Sequence, residues 1–227
     1  MGMDLNYFTT LVKTIKPILS KNIKVLCLGY PDLLVTKDEL ENLLPDLAQH
    51  IPNDLYEKEI QTWHKRTHEI YDPMYIFKRW NFDVTIFDAV AHRGIETIVN
   101  LNENIDVKYH NQYNLIIDTG TLEHCFNVGT AFKNMCNCCA KDGYIFTAAP
   151  LTKINHGYYN FCPILYRDGF SFNGFEIVEQ NYIRRGEIVS SESILKNKLL
   201  QTKVVNQVIA KKVSIKDWTW PIQGKYI

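Results

Sequence analysis

Seven short apolar runs, each closed by turn-forming residues, restrict this 227-residue chain more than any other feature. They occupy residues 24–29, 83–88, 96–101, 113–118, 143–148, 175–179 and 204–213. Inside them apolar residues follow one another, as in Val25-Leu26-Cys27-Leu28 and Leu115-Ile116-Ile117. A strand with one wet face alternates apolar and polar residues. A strand covered on both faces does not alternate, and that is the habit of parallel sheets flanked by helices. Residues 127–140 carry helical spacing, with Phe132, Cys136 and Cys139 on one side. They sit between the fourth and fifth runs as a crossover. Helical pattern also covers residues 5–19, 37–47 and 54–78. The expected fold is one α/β domain over residues 1–227. It holds a doubly wound, mostly parallel seven-stranded sheet with helices on both faces, and its last two runs pair antiparallel at the edge. Residues 33–81 form a helical insertion between strands 1 and 2.

Charge and cysteine usage narrow the function. Lys+Arg and Asp+Glu number 25 each, so net charge is zero. A nucleic-acid partner calls for a basic excess that this chain lacks. The pairs Arg184-Arg185 and Lys211-Lys212 read as solvated strand ends. Cys136, Cys138 and Cys139 lack the paired spacing of a zinc site and read as small hydrophobes of the crossover helix. His64 and His68 are four apart, but Lys65 stands where H-E-x-x-H needs glutamate, so a surface role is expected. No metal site is expected. Asp4 and Asn6 interrupt any signal-peptide pattern. No apolar stretch reaches the roughly 18 residues of a membrane span, and a cytoplasmic protein is expected.

In doubly wound sheets ligands bind beyond the carboxyl ends of the strands. Those ends read Gly29-Tyr30-Pro31-Asp32, Asp88, Leu101-Asn102-Glu103 and Asp118-Thr-Gly-Thr-Leu-Glu-His124. Glycine at the first turn lets backbone approach a ligand closely. A carboxylate at the second strand end can accept both hydroxyls of a ribose. Asn102 offers a donor and an acceptor to the edge of a base.

In this order the residues resemble class I S-adenosylmethionine (SAM) dependent methyltransferases, over about residues 22–213. Val25-Leu-Cys-Leu-Gly29 resembles the family's first motif, Asp88 its ribose-binding acid, and Leu101-Asn102 its adenine side. Tyr113-Asn-Leu-Ile-Ile-Asp-Thr-Gly-Thr-Leu-Glu-His124 resembles the fourth-strand segment, and Lys141-Asp-Gly-Tyr-Ile145 the turn before the fifth strand. The resemblance implies SAM as cofactor, held by Gly29, Tyr30, Asp88, Ala89, Leu101, Asn102, Asp118 and Thr119. The first loop departs from the family pattern: Cys27 replaces the acid, and Pro31 and Leu33 replace later glycines.

Methyl transfer chiefly asks that acceptor and methyl group be aligned at close range. A hydroxyl acceptor also needs a base, and histidine suits that task near neutral pH. His124, after the fourth strand, and His156, in the loop after the fifth, are the expected catalytic residues. Asn155, Tyr158 and Tyr159 in the same loop are the expected substrate contacts. Glu123 reads as a helix-start carboxylate. The insertion, with Trp63 in it, is expected to act as a lid. The acceptor reads as a small polar metabolite or a sugar or phosphorylated intermediate, methylated at oxygen, while oligomeric state stays open. A non-catalytic scaffold on the same fold is the alternative. Nicotinamide-dependent oxidoreduction lacks its glycine fingerprint.

Overall fold

The computed structural model describes residues 2–20, 22–48, 71–196 and 203–226. The chain opens with β1 (Gly2–Asp4) and α1 (Leu5–Thr10), which runs on through a π turn and a 3-10 turn to Ile18. Asp4 caps α1 by accepting from the amides of Asn6 and Tyr7. Then come β2 (Lys24–Leu28), β3 (Asp32–Leu34), α2 (Lys37–Leu43) and α3 (Pro45–Ala48). Thr36 and Glu39 close a capping box at the start of α2. The next elements are α4 (Pro73–Arg79), β4 (Asp83–Asp88), β5 (Thr97–Ile98) and β6 (Tyr113–Asp118). They are followed by α5 (Val128–Cys138), β7 (Cys139–Thr152), α6 (Pro163–Phe172) and β8 (Phe175–Arg184). Last are β9 (Glu187–Val189), α7 (Ser191–Lys196) and β10 (Val204–Lys212).

One sheet has the order β5-β4-β2-β6-β7-β10-β8-β9. Strands β2, β4, β5, β6 and β7 run parallel, and β10 is antiparallel to both β7 and β8. From β2 the chain builds outward through β4 and β5, then returns to build the other way through β6 and β7. The order therefore reverses between β2 and β6. That reversal leaves a crevice outside their carboxyl ends, because the connecting chains turn away to either side.

Alternation along the strands feeds two cores. Val25, Cys27, Leu115, Ile117 and Ile209 face α1 and α4, meeting Phe8, Leu11, Ile15 and Phe77. Leu26, Leu28, Ile116, Ile145 and Val208 face α5 and α6, meeting Phe132, Met135, Tyr166 and Phe170. Each such side chain contributes about 1.5–3 kcal/mol by leaving water. Both faces are covered, as the unbroken apolar runs require.

Several details differ from the sequence-based reading. Among the described residues the sheet has eight strands, because Arg185 and Gly186, both with positive φ, turn the chain back into β9. The third run yields only Thr97–Ile98, whereas the fifth extends over Cys139–Thr152. The last strand does not close the edge but slots between β7 and β8. The helix expected over 54–78 does not run through Pro73, which starts α4 under an Asp72 cap. The rest of that segment, with Trp63, His64 and His68, lies outside the described residues.

Lys212 corrects another expectation. It is buried, and its ammonium donates to Asn111 Oδ1, the Cys136 carbonyl and the Cys139 carbonyl at 2.8–3.1 Å. A cation at the carboxyl end of α5 meets the helix's unpaired carbonyls, so burial is compensated. Trp218 packs on Phe132, which places this part of the C-terminal segment against α5. Among the described residues no helix is long and apolar enough to cross a membrane.

Candidate active site

A cavity of about 470 Å³ opens at the carboxyl ends of β2, β4 and β6, within the ~300–1,000 Å³ range of small-molecule sites. Gly29, Tyr30, Asp88, Ala89, Leu101, Asn102 and His124 all line it. Four separate strand ends thus bring seven of the expected residues to one hollow.

Gly29 follows β2 with φ of 79°, a left-handed conformation that glycine adopts without strain. Its amide donates to the Phe87 carbonyl at 2.6 Å, drawing the first turn against β4. Tyr30, standing beside it, is buried and donates from its hydroxyl to Asp72 Oδ1 at 2.7 Å. The first loop is therefore tied to the cap of α4. Across the cavity Arg93 lies over the Tyr30 ring, 3.6 Å from its centre, and pairs with Asp32. Both Asp32 and Arg93 line the cavity. Nothing in the sequence marked Arg93 for this place, because it follows β4 in a loop without motif character.

Asp88 ends β4 half-buried, and among the described residues its carboxylate accepts only a long 3.4 Å contact from the Val90 amide. Phe87, Val99 and Leu101 supply apolar wall beside it. Asn102 is more committed than the sequence suggests. Its Oδ1 accepts from the Asn127 amide at 2.8 Å, and its Nδ2 donates to Asn100 at 2.9 Å. Asn127 caps α5, so Asn102 fixes the start of that helix to the cavity rim. One amide hydrogen of Asn102 is left for a ligand.

Asp118 and Thr119 are buried beneath the cavity and are not among its lining residues. Asp118 accepts from the amides of Thr121 and Leu122 and from the Thr147 hydroxyl. Full burial, aided by the charge of Glu123, pushes its carboxyl up to about 7. Its task here is to hold the turn that carries His124.

Glu123 is a helix-start carboxylate, but of a short 3-10 turn and not of α5. It sits in a 3-10 turn (Leu122–His124), only 1% exposed, while Asn127 caps the following helix. Its Oε1 lies 3.4 Å from His156 Nε2, and its Oε2 is buried without a hydrogen-bond partner among the described residues. The His124 and His156 rings meet edge to face with centres 5.0 Å apart. Burial lowers the pKa of His124; the charge of Glu123 raises it, and His156 lowers it further.

The loop after β7 is pinned over this turn. Tyr158 donates from its amide to the Glu123 carbonyl at 2.8 Å, and Tyr159 from its hydroxyl to the Phe126 carbonyl at 2.8 Å. Gly157 passes so close that a Cβ there would fall 2.6 Å from the Glu123 carbonyl oxygen. Asn155 is exposed with φ of 55°, and Tyr158 is exposed with its ring packed edge-on against Phe126. His156, Asn155, Tyr158 and Tyr159 thus flank the opening on the His124 side without lining the cavity itself.

No family profile and no curated protein matches the chain by sequence. Solved structures do match it in three dimensions. The cyclase SpnF superposes with a TM-score of 0.53 at 9% identity, covering 91% of this chain and 80% of its own. The Burkholderia thailandensis 1,6-didemethyltoxoflavin-N1-methyltransferase, solved with S-adenosylhomocysteine, gives 0.53 at 11% identity, covering 92% and 79%. A Bacillus halodurans protein described as a candidate methyltransferase gives 0.53 at 9% identity, covering 91% and 99%. The chain has the class I methyltransferase fold. One fold carries a cyclase and a methyltransferase, so the chemistry has to be argued from the site.

Proposed function

We propose that this chain binds SAM in the cavity beyond β2, β4 and β6 and transfers its methyl group to an oxygen of a small polar acceptor. The observation that carries this reading is the meeting of Gly29, Asp88, Leu101 and Asn102 on one hollow. The chemistry of these groups suits an adenosine: bare backbone at Gly29, an available carboxylate at Asp88, apolar walls at Phe87 and Leu101, and an amide hydrogen at Asn102. When bound, SAM supplies an electrophilic methyl on its sulfonium. The protein's part is to align the acceptor and exclude water around it. His124, an exposed imidazole whose pKa is lowered by desolvation, accepts the proton of a hydroxyl acceptor. His156, Asn155, Tyr158 and Tyr159 flank the acceptor's entry. Neutral net charge and a tyrosine-bearing loop fit a small metabolite or a sugar or phosphorylated intermediate better than nucleic acid.

A second reading, a non-catalytic binding subunit, draws on the first loop. There Tyr30, Asp32 and Arg93 form a closed cluster where the family pattern has open glycines. Titration calorimetry with S-adenosylhomocysteine separates the two. Binding that Asp88→Ala weakens supports the enzyme. Absence of binding to S-adenosylhomocysteine, SAM and NAD alike would favour the subunit.

A further inference from the structure

We propose that Glu123, His124 and His156 form a binding site for one divalent transition-metal ion of the zinc or cobalt kind, at the His124 side of the cavity. One ligand atom from each of the three residues lies within 4.8 Å of the other two. Two ligands about 2.1 Å from a tetrahedral centre stand about 3.4 Å apart. The Glu123 Oε1 to His156 Nε2 separation is 3.4 Å, longer than the ~2.9 Å at which an N–H to oxygen hydrogen bond is best formed. Their spacing is therefore that of two ligands sharing an ion.

The independent sign is Glu123 Oε2. This oxygen is buried with no hydrogen-bond partner among the described residues, on a side chain 1% exposed. A buried carboxylate left half unsatisfied is costly, and a cation between it and the imidazoles would remove that cost.

The site is built, not incidental. Three local features hold the histidine-bearing loop over Glu123: the Tyr158 amide, the Tyr159 hydroxyl and the missing side chain of Gly157. The donor set of two imidazoles and one carboxylate is the one used by zinc in hydrolytic sites, and all-oxygen ions such as magnesium disfavour it. His124 and His156 are both exposed, so the ion keeps positions open toward the cavity. An oxygen of the acceptor entering there is oriented and loses its proton to solvent more readily. With the ion in place His124 acts as a ligand, and the proton of the acceptor, made more acidic by the ion, goes to solvent.

The test uses the full chain, stripped with chelator and titrated with Co²⁺ while visible absorption is followed. Wild type should bind one equivalent. His156→Ala and Glu123→Gln should each weaken binding by about tenfold or more, and Mg²⁺ should not compete. His156 is on an exposed loop, so its variant reports even if Glu123→Gln does not fold. Binding that survives His156→Ala but vanishes in the His64→Ala/His68→Ala double variant overturns the proposal, as does no binding at all. S-adenosylhomocysteine affinity, measured on the same His156→Ala protein, should be unchanged. Loss of cofactor binding in wild type would sink the methyl-transfer reading and leave the metal site standing.

Discussion

Glu123 Oε1 and His156 Nε2 stand 3.4 Å apart although 33 positions separate the two residues along the chain. One sits in the turn after β6 and the other in the loop after β7. Adjacent parallel strands end side by side, so the residues that follow them are neighbours in space. The strongest constraint on the pair is backbone: the loop is held by the Glu123 carbonyl itself.

That constraint makes Gly157 sensitive. In Gly157→Ala the new Cβ would meet the Glu123 carbonyl oxygen at 2.6 Å and its Cγ at 2.9 Å. The loop has to lift. Thermal unfolding should show a loss of about 1–3 kcal/mol, and Co²⁺ binding should fall with it. Unchanged Co²⁺ affinity would show that the loop does not set the cluster.

Asp88→Ala tests the nucleoside side. Hydrogen bonds to a charged group contribute about 1.5–3 kcal/mol each, so S-adenosylhomocysteine should bind about 10- to 150-fold more weakly. Stability should barely move, because the carboxylate's recorded contact is a 3.4 Å approach from Val90. Calorimetry and thermal unfolding on one sample give both numbers.

Asp118→Asn tests the buried acid by pH. The folded carboxyl titrates at about 7 against an ordinary 3.8, so the folded state keeps a proton that the unfolded chain releases between those values. Stability from this group is full below about pH 4 and is lost as pH rises through about 7. Urea unfolding at about pH 5 and about pH 8 should show wild type losing more than the variant over that interval. Asparagine copies the neutral form and can still accept from Thr121 and Leu122. Parallel losses in both proteins would mean that Asp118 is already ionised when folded.

Lys212→Met keeps the apolar stem and deletes the ammonium, freeing the Cys136 and Cys139 carbonyls and Asn111 Oδ1. Leaving buried acceptors unpaired costs about 1–3 kcal/mol each, and a total loss of about 2–4 kcal/mol is expected by denaturant unfolding. A change below about 0.5 kcal/mol would make Lys212 an ordinary surface cation.

The strands were legible because burial on both faces leaves an unbroken apolar signature, as at Leu115-Ile116-Ile117. The cavity's glycine and carboxylate followed from where such strands end. Burial of single polar groups left no such mark. Lys212 resembles its half-buried neighbour Lys211 in sequence, and the end of α5 above it explains its place. Glu123 is preceded by Leu122 and followed by His124, which says nothing of an orphaned oxygen. Arg93 and Asp32 meet across 61 residues through stacking on Tyr30, a relationship that no local pattern encodes.

The position of β10 has a consequence for biogenesis. It is translated after β8 and β9, yet it supplies the shared wall between β7 and β8. Until it emerges from the ribosome, both neighbours present unsatisfied backbone edges to solvent, a state open to chaperones and to misassociation. A nascent chain halted before residue 204 would therefore stay unfinished at its centre, whatever helices had already formed around it.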